Sequence, residues 1–112
     1  MSKTMALPKE KKLCVIFRVE PGCLGPQGAD FIDDFCVFAQ KSVETLESNY
    51  VRWNIVPRSD KKLLELEYQV LGKKITHFQA NKYLSVFEKN LDDFETLLND
   101  RLATLIDEYF AR

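Results

Sequence analysis

The sequence predicts a small α+β fold, a two-layer sandwich in the order strand, helix, strand, strand, short strand, helix, helix, with the helices on one face of a small mixed sheet. Three observations predict it. Apolar residues alternate with period two over 13–19, 50–56 and 64–70, they recur at helical spacing over 29–48 and again beyond residue 80, and a Gly/Pro-dense stretch separates the first strand from the first helix.

In Leu13-Cys14-Val15-Ile16-Phe17-Arg18-Val19, the residues Leu13, Val15, Phe17 and Val19 share one face, and a run this apolar suits an interior strand. Residues 20–28 hold three of the four glycines and two of the four prolines, so they form a loop. Phe31, Phe35, Phe38, Ser42 and Leu46, beside Ile32, Cys36, Ala39 and Val43, then make a wide apolar stripe, with Asp30, Asp33 and Asp34 in its first turns where a helix dipole favours anions. In the second strand Val51, Trp53 and Ile55 face the core and Tyr50, Arg52 and Asn54 face water, and Pro57 ends it. Leu64, Leu66, Tyr68 and Val70 alternate with Glu65, Glu67 and Gln69 in the third. The step Leu71-Gly72-Lys73-Lys74 fits a two-residue hairpin with Gly72 at its first central position, leading to a short fourth strand around Lys74-Ile75.

Thr76-His77-Phe78-Gln79 has the pattern of a capping box, so a helix begins there. Ala80, Leu84, Phe87, Leu91, Phe94, Leu98, Leu102, Leu105 and Tyr109 follow at steps of 4, 3, 4, 3, 4, 4, 3 and 4. One continuous helix over 77–110 would be about 51 Å long, more than a sheet of short strands covers. Asn90 before Leu91-Asp92-Asp93 offers an N-cap at which the helix instead divides in two.

In 112 residues the chain has room for one domain, 13–112, behind a flexible basic arm at 1–12. With 46% hydrophobic residues, disorder is a poor fit, and no apolar run reaches the length of a membrane helix. The opening residues lack the apolar core of a secretory signal, so the expected compartment is the cytoplasm. A net charge of −1 argues against a dedicated nucleic-acid binder. Base stacking on the third strand is also disfavoured, because its water face carries Glu65, Glu67 and Gln69 and no aromatic. Charge nevertheless alternates along the chain, with +3 over 1–12, −4 over 13–51, +4 over 52–89 and −4 over 91–112. Such blocks either complement one another within the fold or bring two copies into register.

Following strand directions, the loop 20–28, the turn after Pro57 and the start of the second helix fall on the same sheet edge, at the carboxyl ends of strands, where open α/β sheets bind ligands. The candidate anion-binding residues there are Gly22, Cys23, Gly25, Gly28 and Arg58. An enzyme reading makes Cys23 the nucleophile and His77 its base, since a thiol before a helix N-terminus can ionise readily. The structural reading has the glycines forming turns, Cys23 and Leu24 closing the core, and His77 in a capping turn. Neither a P-loop nor a dinucleotide fingerprint is present, and Cys14, Cys23 and Cys36 lack zinc spacing, so no cofactor or metal is expected. The favoured expectation is a non-enzymatic interaction protein, a homodimer or the binder of a protein partner, that associates through Leu91, Phe94, Leu98, Leu102, Leu105 and Tyr109. The alternative is a small enzyme or anion binder at Cys23, Arg58 and His77.

Overall fold

The apolar run Leu13–Val19 forms strand β1 and takes an interior place in a four-stranded mixed sheet, in the computed structural model that describes residues 11–111 of the chain. All but Lys11 and Lys12 of the arm expected at 1–12 thus lie outside the described residues. The fold is a small α+β fold with the expected order of elements. The chain divides into two units, Met1–Ile75 and Thr76–Arg112, and the division falls at the N-cap of a helix.

The first unit continues from β1 through a 3-10 turn at Pro21–Leu24 to helix α1 (Gly28–Val43) and strands β2 (Val51–Pro57), β3 (Leu66–Val70) and β4 (Lys73–Ile75). The strand order is β2-β1-β3-β4, with β1 and β2 parallel across the α1 crossover and the other pairs antiparallel. Side chains alternate between the faces of a strand, so register sorts them into rows. Trp53, Val15, Tyr68 and Ile75 make one apolar row across all four strands; Arg52, Cys14, Gln69 and Lys74 make the adjacent row on the other face. Trp53, Val15 and Tyr68 are buried, as are Ile32, Phe35, Cys36, Ala39 and Val43 of α1.

Three details depart from the sequence pattern. The first helix stops at Val43 rather than running to 48, because residues 44–50 turn through Glu47 at φ +53°, whose carbonyl accepts from the Tyr50 and Val51 amides. Tyr50 consequently precedes β2 and is buried, not water-facing, with its hydroxyl donating to the Glu47 carboxylate. Leu64 lies before β3 and is half exposed, because the chain there is held instead by Arg18 Nη1 donating to the Leu64 carbonyl at 2.8 Å. In the hairpin, Val70 pairs with Lys73, so the two loop residues are Leu71 and Gly72, both at positive φ (+55° and +76°). Gly72 therefore occupies the second central position and not the first, and a leucine is held in the left-handed region.

The second unit contains α2 (His77–Ser85) and α3 (Leu91–Ala111). Both sides of the capping box form, Gln79 N donating to Thr76 Oγ1 at 3.1 Å and Thr76 N to Gln79 Oε1 at 2.8 Å. The helical stripe does divide in two. Asn90 Oδ1 accepts from the Asp93 amide at 2.8 Å, starting a new helix, and Leu91 N donates to Asn81 Oδ1 of α2 at 2.8 Å. Ala80, Leu84, Leu91, Phe94, Leu98, Leu105 and Tyr109 are buried, while Phe87 and Leu102 are partly so.

Candidate functional site

The loop after β1 is shaped by backbone needs. Gly25 sits at φ +97°, which a side chain would strain. A Cβ on Gly28 would lie 1.7 Å from the Pro21 carbonyl oxygen, so the helix can begin this close to the 3-10 turn only with glycine there. Gly22 meets neither condition. Cys23 is exposed on the 3-10 turn and Leu24 beside it is buried, so the leucine alone closes the core at this end.

Arg58 reaches the same end of the sheet. Its amide donates to the Val19 carbonyl at 2.9 Å and its Nη1 lies 3.5 Å from Glu20 Oε2 at the entry to the glycine loop. The rest of its guanidinium is committed to its own turn, with Nε and Nη2 donating to the Leu63 carbonyl at 3.1 and 2.9 Å and Nη2 to that of Lys61 at 3.0 Å. With Nε and Nη2 on carbonyls and Nη1 beside Glu20, the guanidinium staples residues 58–63 and faces the entry to the glycine loop. His77 is the first residue of α2, in the second unit.

A concavity of the first unit lies elsewhere, along the outer edge of β2. Two adjoining grooves of about 620 and 460 Å³ share Gln40, Glu44 and Asn54. Lys12, Ser48 and Arg52 bound the larger one, while Asp33, Val37 and Lys41 bound the smaller. Between them the Gln40 side chain bonds to the strand itself, Nε2 donating to the Trp53 carbonyl at 2.9 Å and Oε1 accepting from the Ile55 amide at 2.8 Å. A peptide strand added there would make bonds of these kinds, so Gln40 occupies the edge. The opposite edge, β4, is three residues long and carries Lys73 and Lys74, both exposed, which blunt it by brevity and charge. Gln40 carried no sequence signal, because its role follows from β2 being an edge strand and from the position of α1 beside it.

Two cysteines line these grooves from the inside. Burial pushes the Cys36 thiol up to about 11, helped by the Asp33 charge, and burial likewise raises Cys14, with nearby Arg52 opposing and Glu67 reinforcing the shift. Both are held as thiols and pack as small apolar groups. On the polar face Arg18 Nη2 pairs with Glu67 Oε1 at 3.1 Å and Gln69 Nε2 donates to Glu67 Oε2 at 2.8 Å. These contacts, the Gln69 bond foremost, hold the Glu67 carboxyl below its ordinary range.

The residues expected to self-associate, Leu91, Phe94, Leu98, Leu105 and Tyr109, are buried, and Leu102 is partly covered. The helical unit leaves other apolar side chains in solvent. Phe78 is 68% exposed and Val86 75%, with Leu97 and Phe110 each near half. Among the described residues no group of three or more His, Cys, Asp or Glu side chains is placed to hold a metal ion, and no helix is long and apolar enough to cross a membrane. Comparison of the chain with protein-family models, with curated proteins and with solved structures finds no match.

Proposed function

We propose that the chain is a small non-enzymatic interaction protein that self-associates through its C-terminal helical unit. The observation that carries this reading is the exposure of Phe78 and Val86 on a unit whose long apolar stripe is buried at most of its positions, since large apolar side chains left in water favour a contact that removes them from it. Two further features support it. Both sheet edges are blunted, which turns association toward the helices, and Arg58 is engaged with its own turn and with Glu20, which supports a structural role for the glycine loop.

Analytical ultracentrifugation of the full chain at micromolar concentration tests the reading. A dimer is expected, converted to monomer by Phe78→Ser together with Val86→Ser, both at solvent-exposed positions where the fold loses little. A wild-type chain that stays monomeric overturns it.

A further inference from the structure

The helices of the second unit carry complementary outer faces. On α3 a second stripe, Thr96, Asn99, Ala103, Ile106 and Phe110, follows the buried one at steps of 3, 4, 3 and 4, turned from it by roughly a third of a turn. It is uncharged along its whole length. Thr96, Asn99, Ala103 and Phe110 are exposed and Ile106 is partly so. Along one flank Asp93, Asp100 and Asp107 recur every seventh residue, and α3 carries Asp92, Asp93, Glu95, Asp100, Asp107 and Glu108 against the single cation Arg101. Asp93 is engaged with Asn90, which leaves Asp100 and Asp107 as the flank's outward charges.

The outer face of α2 has the opposite character. Phe78, Lys82 and Val86 are spaced by four, so they line one side of the helix and its cap, and all three are exposed. The Lys82 ammonium lies 5.0 Å from the centroid of the Phe78 ring, so cation and apolar surface form one patch, and Lys89 follows in the turn before α3.

We infer that two copies of the chain pair reciprocally, the Phe78/Lys82/Val86 face of α2 in each seating on the uncharged stripe of α3 in the other, with Lys82 and Lys89 opposite Asp100 and Asp107. This rests on the self-association proposed above and names its surfaces. The occupant is a second copy because each copy presents one apolar-basic and one apolar-acidic helix face, the requirement for a self-complementary two-fold contact that closes. Pairing α3 with α3 instead would set one acidic flank against another.

The test is the dissociation constant of the full chain by sedimentation equilibrium at low and high salt, with circular dichroism to verify that each variant keeps its helices. Added salt weakens the dimer, because the contact joins opposite charges. Lys82→Glu weakens it by roughly tenfold or more, since two-fold symmetry makes the lost attraction and new repulsion count twice. Asp100→Lys with Asp107→Lys does the same, and these two changes combined in one chain with Lys82→Glu and Lys89→Glu restore the constant to within about threefold of wild type. A dimer indifferent to Lys82→Glu, or one that the combined swap fails to recover, overturns this pairing while leaving self-association standing. A monomeric wild type overturns both.

Discussion

The side-chain amide of Gln40 on α1 donates to the backbone carbonyl of Trp53 at 2.9 Å, and its oxygen accepts from the amide two residues further along the same strand, Ile55, at 2.8 Å. One side chain thereby satisfies a donor and an acceptor on the open edge of β2 and ties the helix to it. Gln40→Met keeps length and removes both bonds, leaving two partly buried backbone groups unpaired, at an expected cost of about 1–3 kcal/mol. Urea unfolding measures it. A change smaller than about 0.5 kcal/mol would show that water replaces the amide at that edge. The variant is also expected to aggregate more readily, since its strand edge is freed.

Leu71 stores strain that can be removed. It is a leucine at φ +55° and 63% exposed, so the fold spends a left-handed conformation on a residue that buries little. Asparagine tolerates this region, and Asn-Gly is the preferred pair for a two-residue hairpin with both φ positive. Leu71→Asn is expected to stabilise the chain by about 0.5–1 kcal/mol, visible as a higher urea midpoint at unchanged slope. An unchanged or lower midpoint would mean that the leucine makes a contact worth more than its strain.

The same two places mark where the sequence stops being legible. Where local chemistry decides, it read well: the apolar alternation of β1, the faces of Val51, Trp53 and Ile55, the Thr76–Gln79 capping box and the Asn90 start of α3 all follow from spacing within a few residues. Trp53 is 5% exposed, its indole donating to the Leu46 carbonyl at 2.7 Å. The hairpin was misplaced by one residue because nothing in Leu71 announces a positive φ. Gln40 was missed because strand order, a tertiary property, gives it its role. The place of Arg58 at a strand end is legible in the sequence, whereas the bonds of its Nε and Nη2 to the Leu63 and Lys61 carbonyls and the approach of its Nη1 to Glu20 depend on how the local backbone turns.

The Glu67 carboxylate gives the fold an acid dependence. The Gln69 amide and the Arg18 guanidinium hold its pKa below the ordinary 4.5, so the unfolded chain binds the proton more tightly than the folded one. Its contribution is therefore present above pH 4.5 and is lost as pH falls through the depressed folded value. Glu67→Gln is expected to cost about 1 kcal/mol at neutral pH, the scale of a partly exposed ion pair, with the gap to wild type closing in acid. Urea midpoints of both chains across the acidic range check this. A gap that stays constant with pH would place the loss in packing rather than charge.

The cysteines respond to alkali in the opposite sense. Cys36 is buried, and its thiol is raised from the ordinary 9.0 to about 11, so the folded chain holds that proton more tightly than the unfolded one. The contribution is complete below pH 9 and is lost progressively as pH rises toward 11, with Cys14, also raised, adding in the same direction. Cys36→Ala is accordingly expected to flatten the decline in stability over that window. The same burial governs reactivity, because alkylation requires an accessible thiolate. Iodoacetamide at neutral pH is expected to label the exposed Cys23 in the native chain and to reach Cys14 and Cys36 only after denaturation, resolved by peptide mass analysis. Labelling of Cys36 in native protein at a rate comparable to Cys23 would mean that α1 opens from β2 far more often than the Gln40 bonds to that strand permit. A native Cys23 reacting faster than free cysteine would favour the nucleophile reading of the loop.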